Sequence, residues 1–552
     1  MSPIERRRVR VPRGDRQVLL LPEPAALPGL VRHNQDLLAS YRFDLAGRPF
    51  GEFRAAARAE IMAMARRYAR RWGFAVQRDW SEPQPIILSG HQPRPFHPGV
   101  WIKNFLAGEL ASAVGGVALN LSVDNDEAHV QRFRLPARDL VCKMGGEEVR
   151  MAEVEFAPHA PGVPFEEQPA GALRPETVHD VLAIVPSPAV GEAFRDCWQR
   201  LRQIVPQAAS LGEAFLVARR RLEERLGLGN LELPVSHVAD SEAFRLFLAV
   251  MLERREAFFA AYNDSLHEFR RVYHERSPAQ PVPDLASDGP RMELPYWVWR
   301  AGGAGDVRRR RLWVEPTPGG GLALAADEEP IGRLAAADLP DAARGAERIA
   351  ELWQSGWKIR PRALSMTLFV RLAVGDVFIH GVGGALYDQI TDALIERLFG
   401  VKPPEFVLAS ATVYLPLEAY PTTPADLAAA RRAVRDWLYN PDRMLPESVR
   451  RRGEARAIIE EKQRLLATRG RTREERRRIW ERIRRINGRL LALAPDQPDA
   501  AERQLVEVER RLRANAILRS REYPFCLYPP DDLAAFYREA VRPRREEPRA
   551  EP

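Results

Sequence analysis

Pro85-Ile-Ile-Leu-Ser-Gly-His-Gln-Pro-Arg-Pro-Phe-His-Pro-Gly-Val-Trp-Ile-Lys-Asn-Phe105 is the stretch that decides the fold. Its apolar run, Ile86 to Leu88, stops at Ser89-Gly90, and a helical pattern starts near Val100. Two histidines, three prolines and Gly99 lie between them. That layout predicts a buried strand, a ligand loop and a helix N-terminus. In open parallel sheets, ligands bind at the carboxyl ends of strands, where a helix start offers free N–H groups to an anion. A nucleotide or another phosphate-bearing ligand is therefore expected beside Gly90, His91, Gln92, His97 and Gly99, with His91 and His97 facing the anion. Lys103, on the first helical turn, reads equally well as a phosphate contact and as a surface lysine.

The next apolar segment, from Gly116 to Ser122, is nearly continuous and predicts a strand buried on both faces. Strand, helix and strand within ~40 residues make a βαβ unit. Asp124, Asn125 and Asp126 follow at the carboxyl end of the second strand. Their carboxylates suit a substrate amine or Mg²⁺; the competing reading is an Asx turn that caps the next helix. The pattern returns late in the chain. Val377 to His380 reads as a buried strand, and Gly381, Gly383 and Gly384 precede a helix carrying Tyr387, Asp388 and Thr391. His380, the three glycines, Tyr387 and Asp388 are expected to form the opposite wall of the site. No Gly-Lys-Ser/Thr follows, which excludes a P-loop. Leu364 to Leu372 fits helix or strand, and Phe406 to Tyr414 a further strand.

The chain has 552 residues, with 83 basic against 75 acidic side chains and a net charge of +8. Between Arg451 and Arg521 stand 21 basic and 11 acidic residues, so the remainder is close to neutral. Cys142, Cys197 and Cys526 are too scattered for a disulfide framework or a zinc site, which points to a reducing, cytoplasmic setting without structural metal. The run Val18 to Leu21 is too short for a signal peptide, and no segment approaches the ~20 apolar residues of a membrane span. No Ser/His/Asp elbow, His-Glu-x-x-His or Cys-x-x-Cys is present.

Six segments are expected: an N-terminal helical segment packed on the core (1–80), the first half of the core (81–135), an insertion (136–355), the second half of the core (356–440), a coiled-coil hairpin (441–521), and a docking tail with a disordered end (522–552). Within the insertion, Gly302-Gly-Ala-Gly suggests a hairpin turn, with Arg308 to Arg311 on a solvated edge in preference to a phosphate contact. Ile479, Ile483, Ile486, Leu490 and Leu493 step 4-3-4-3, a coiled-coil seam on one helix over 447–493, on the order of 70 Å long. A shorter helix with Leu505, Val508 and Leu512 returns antiparallel, leaving apolar surface for a homodimer. The fold class expected is α/β: a Rossmann-like parallel sheet core with a large insertion and a C-terminal antiparallel α-helical coiled coil.

In this order the motifs resemble the bacillithiol-synthesis cysteine-adding enzymes, whose Rossmann-like core is similar to class I aminoacyl-tRNA synthetases. Gly90-His91-Gln92-Pro93 stands where that family has Gly-Gln-Gln, and His97-Pro98-Gly99 where it has Thr-Gly-Pro. Asp124-Asn125-Asp126 loosely matches its acidic turn, and Gly381 to Gly384 with Tyr387 is closer to its Gly-Gly segment. Phe96-His-Pro-Gly also looks like a partial synthetase His-x-Gly-His signature, and His91-Gln-Pro followed by Lys103 is similar to WbqC-like proteins. The resemblance implies a nucleotide-dependent ligase joining an amino acid or similar carboxylate to an amine, an amino sugar among the acceptors. ATP or another nucleotide would serve it, with or without Mg²⁺, and His91, His97, Asp124 and Asp126 would be catalytic. The rival expectation is a non-catalytic scaffold whose basic coiled coil contacts nucleic acid or a protein partner. Glu454, Glu460, Glu461, Glu474 and Glu475 dilute that charge, which disfavours nucleic acid. No membrane partner is expected.

Overall fold

A computed structural model describes residues 4–76, 84–127, 131–139, 148–301 and 307–542. The chain divides into two compact units. The larger comprises Met1–Leu135, Ala152–Pro416 and Arg521–Pro552; the smaller comprises Pro136–Met151 and Leu417–Ser520.

The central sheet of the larger unit has six strands: β1 Gln17–Leu21, β2 Ile86–His91, β3 Val117–Ser122, β4 Leu231–Pro234, β5 Val377–His380 and β6 Val407–Thr412. Their spatial order is β1-β6-β5-β2-β3-β4. β1 runs antiparallel to β6, and every other neighbouring pair is parallel. Every residue of β3 and of β6 is buried, as an apolar strand in a parallel sheet must be when both faces are covered. From β2 the chain builds outward through β3 and β4, then returns to lay β5 along the other side of β2. The strand order therefore reverses between β2 and β5, and at such a point a cleft opens at the carboxyl ends.

Two strands depart from the expected boundaries. The run Val18 to Leu21, assigned to a helical N-terminal segment, pairs residue by residue with Leu408 to Ala411. β4 arises inside the expected insertion. Glu232 in its middle interrupts the apolar pattern, and the fold accommodates that charge because Arg219 Nη2 lies 2.9 Å away.

A second, antiparallel sheet runs in the order Glu329–Leu334, Leu322–Ala326, Arg310–Pro316, Arg291–Arg300 and Trp357–Pro361. The two strands flanking the expected glycine-rich turn do pair antiparallel; the turn itself, 302–305, lies outside the described residues, as does Cys142. Trp357–Pro361, expected in the second half of the core, belongs to this sheet. The core resumes with a helix, Ala363–Ala373, which decides the ambiguous run at 364–372.

The smaller unit is helical, with Pro424–Tyr439, Gly453–Ala467, Arg473–Leu491 and Asp496–Leu518 as its main helices. The single arm expected over 447–493 is broken at 451–452 and again at 468–472. Thr472 accepts from the Glu475 N–H while the Glu475 carboxylate accepts from the Thr472 N–H, a reciprocal cap that starts a new helix. The longest helix has 23 residues, ~35 Å, half the arm expected. Ile486 and Leu490 are buried with Trp437, Leu445, Val449 and Ile458. Ile479 and Ile483, at the other end of the expected seam, are only half-buried.

Pro530–Val541 forms a helix of the larger unit, and the Tyr537 hydroxyl donates to the Pro98 carbonyl at 2.6 Å. The expected disordered end, 543–552, lies outside the described residues. No described helix is long and apolar enough to cross a membrane.

Candidate functional site

Two helices begin where the strand order reverses: α1 (Pro98–Ala113) after β2 and α2 (Val382–Phe399) after β5. A cavity of about 510 Å³ opens between them. The ends of β2, β5 and β6 supply Gly90, His91, His380 and Ser410, and the helix starts supply His97, Gly99, Lys103 and Gly381 to Gly384. Arg521 and Glu522 close one side. The size suits a nucleotide-sized or smaller ligand.

The two helix starts differ. At α1, the Gly99 N–H donates to His97 Nδ1 at 3.1 Å, and the Val100 N–H to the His97 carbonyl at 2.9 Å. His97 thus caps its own helix, so the backbone after Gly99, expected to be open to phosphate, is already engaged. Burial and the nearby Arg521 push the His97 pKa down to about 4, so the ring is neutral near pH 7 and presents Nε2. The start of α2 is open. Its first intrahelical bond runs from the Ala385 N–H to the Gly381 carbonyl, and Gly381 has no side chain to cap the three preceding N–H groups. A Cβ added at Gly381 or Gly383 would meet nothing within 4 Å. Those N–H groups carry the positive end of an 18-residue helix into the cleft.

Lys103 is 3% exposed, and its ammonium donates to the Gly90 carbonyl at 2.5 Å. Burial, aided by Arg219, pushes its pKa down to about 7. Beneath it lies a polar network that no motif announced. Arg219 holds Glu223 at 2.6 Å and Glu232 at 2.9 Å. Trp101 Nε1 and Asn104 Nδ2 also donate to Glu223, and Asn120 Nδ2 donates to Glu232. These bonds tie β3 and β4 to α1; the three donors to Glu223 all meet Oε1, and among the described residues no ion pair joins either carboxylate to Lys103.

On the opposite wall, His380 Nε2 lies 2.9 Å from Asp388 Oδ2, and Arg371 donates to the same oxygen at 2.6 Å. Arg371 also holds Asp392 at 2.6 Å. Opposed by burial, Arg371 and His380 nevertheless keep the Asp388 carboxyl well below the usual range. Asp388, expected to touch ligand, instead orients His380 from behind. Burial pushes the His380 pKa down. The Asp388 carboxylate beside Nε2 favours a proton on that nitrogen and leaves Nδ1 to accept. Tyr387 is turned out, 40% exposed and edge-on to Phe269, and does not line the cleft.

The expected second carboxylate group does not meet the cleft either. Asp124 is 6% exposed; Oδ1 accepts from the Ser236 N–H at 2.9 Å and Oδ2 from its hydroxyl at 2.5 Å. Asn125 donates to the Pro361 carbonyl at 2.6 Å. Asp126 accepts from Gln92 at 2.5 Å and from Arg309 at 2.7 Å. Gln92 is thereby drawn off the cleft, and Arg309, read as part of a solvated edge, is 9% exposed in its side chain. The β3 terminus closes on protein groups, so Asp124 to Asp126 act here as a turn.

His91 stays on the cleft, edge-on to Phe96 at 4.9 Å. Burial pushes its pKa well down, with Lys103 adding to the effect. Arg521 donates to Ser410 Oγ and Thr412 Oγ1 at 3.1 and 3.2 Å. Sequence reasoning passed over it because its place on the cleft follows only from the chain's return after Ser520. Asn120, a lone amide in an apolar strand, was the one legible sign of the inner network.

The lining donors are backbone N–H groups, Lys103, Arg521 and imidazoles, which suit a phosphate or carboxylate. They do not suit a divalent cation, since among the described residues Glu522 is the only carboxylate lining the cleft. Among the described residues no group of three or more His, Cys, Asp or Glu is disposed to hold a metal ion. No protein-family model matches the chain, and no curated protein matches it.

Proposed function

We propose that the chain is a nucleotide-dependent, ligase-like enzyme that joins an amino acid or similar carboxylate to an amine, an amino sugar among the acceptors, as the bacillithiol cysteine-adding enzymes do. One observation carries this reading: an uncapped helix start facing Lys103 across a cleft at the strand-order reversal. Ligation requires an activated carboxylate, hence a site that holds phosphate charge and excludes water. The α2 N–H groups, Lys103 and Arg521 would hold that charge. His380, oriented by Asp388, would take the proton from the attacking amine. The parallel strands, counted in chain order, lie 3-2-1-4-5 in space, the arrangement on which a Rossmann-like reading rests. Mg²⁺ would enter only on the phosphates of the nucleotide. A cytoplasmic setting and a homodimer through a coiled-coil face of the smaller unit complete the proposal.

The test is a thermal-shift and calorimetric screen of ATP and other nucleotides, with and without Mg²⁺, against wild type and Gly383→Asp. That change puts a carboxylate into open space at the α2 start. A ligand at 100 times its Kd adds ~2.7 kcal/mol, and Gly383→Asp should remove most of this. Equal nucleotide affinity for both proteins sinks the assignment.

A second reading has its own observation. On Arg473–Leu491, Trp480 is 53% exposed and the Arg484 guanidinium lies 5.5 Å from its ring centre. A stacking ring among arginines is how single strands are gripped. Nucleic-acid binding that falls steeply with salt and disappears in Trp480→Ala would favour this scaffold role.

A further inference from the structure

We propose that Lys103 is a reactive amine and that the cleft binds a phosphate-bearing aldehyde or ketone through an imine to its Nζ. The chain has five lysines. Lys358 is paired with Glu166 and Glu167, and Lys462 with Asp442. Lys402 is exposed, and Lys143 lies outside the described residues. Lys103 alone is a buried lysine on the wall of a cavity, and among the described residues no carboxylate pairs with it. Its hydrogen-bond partner is a backbone carbonyl, which accepts from a neutral amine as well as from an ammonium. The two nearby carboxylates are committed to Arg219, whose own charge opposes an ammonium. A desolvated cation without a counter-charge gives up its proton readily, which turns a lysine into a nucleophile near neutral pH.

The same cleft says what such an amine would meet. The open N–H groups of α2 and the Arg521 guanidinium suit a phosphate or other dianion. A ligand anchored there by phosphate brings a carbonyl group within the cavity that Lys103 lines. The amine lone pair attacks the carbonyl carbon, and His380 Nδ1 carries the two nitrogen protons to the carbonyl oxygen in turn. The first makes the carbinolamine hydroxyl and the second releases it as water, so that C=N replaces C=O with no oxidant or reductant required. The inference stands whether or not a nucleotide shares the cleft.

The full chain is incubated at pH 7.5 with glyceraldehyde 3-phosphate or with glyceraldehyde, reduced with borohydride and mapped by mass spectrometry. The phosphorylated aldehyde should be trapped at Lys103 about tenfold more than the unphosphorylated one, the worth of one charge-assisted hydrogen bond. Inorganic phosphate should compete. Lys103→Met should lose the adduct with its melting temperature retained. If that variant does not fold, Gly383→Asp serves, since it leaves the amine in place: labelling by glyceraldehyde should persist and the phosphate preference should vanish. Labelling at Lys402 that outpaces Lys103, equal trapping of the two aldehydes, or a phosphate preference that survives in Gly383→Asp overturns the proposal.

Discussion

Replacing Asp124 by Asn should change how the larger unit responds to pH, in a direction set by burial. Asp124 is 6% exposed, and both of its oxygens accept from Ser236. Burial, with the nearby Glu166 carboxylate, pushes its pKa up to about 7. A carboxyl that binds its proton more tightly when folded stabilises the fold fully below the unfolded value of ~3.9 and loses that stabilisation as pH rises through the folded value. Each pH unit between the two values is worth ~1.4 kcal/mol. Because the unfolded chain releases this proton while the fold retains it, the fold loses about 2 kcal/mol by pH 5.5 and about 4 kcal/mol by pH 8 relative to strong acid. Asn keeps an acceptor for the Ser236 N–H and a donor for its hydroxyl oxygen, and it does not titrate. Between pH 5.5 and pH 8, wild type should lose about 2 kcal/mol relative to Asp124→Asn, which amounts to a few degrees of melting temperature. Calorimetric melts of both proteins at the two pH values measure it. Parallel shifts, or a variant that weakens as pH rises, would show that the carboxyl is neither desolvated nor proton-binding in the way described.

Asp388→Asn should cost about 3 kcal/mol at pH 7, because it leaves a buried arginine short of one counter-charge; Arg371 and His380 both lean on that carboxylate. With its folded pKa depressed, Asp388 contributes above ~3.9 and loses its contribution as pH falls below that, so the melting-temperature gap should narrow in acid and not in base. Gly99→Ala should destabilise by about 1–3 kcal/mol, since its Cβ would lie 2.2 Å from the Ala411 carbonyl oxygen. Gly383→Ala, with open space around it, should melt within about 0.5 kcal/mol of wild type; equal losses at both glycines would refute that packing difference. Thr472→Ala removes a reciprocal cap and should cost the smaller unit about 1 kcal/mol, read from the helical signal on urea titration.

What the sequence alone determined were the features written in contiguous residues. The apolar runs at Ile86, Val117, Val377 and Phe406 located four parallel strands, the first three closed by glycine or an acidic turn. The glycines after His380 located an open helix start, because both signals depend only on neighbours along the chain. Tertiary structure decided the rest. Whether Asp124 faces ligand or Ser236 depends on a short helix 112 residues away, and whether Asp388 faces ligand or Arg371 depends on the preceding helix. β4 was hidden because Glu232 breaks the apolar pattern, and only the Arg219 guanidinium makes that charge tolerable in the core. The long single arm over 447–493 failed for the opposite reason. Its apolar spacing was real, but a local cap at Thr472 competed with helix continuation, and the heptad pattern carries no information about that cap. Lys103 could not be assigned from sequence, because a lysine is reactive or inert according to the charges packed around it, and those arrive from α1, β4 and the Arg219 helix together.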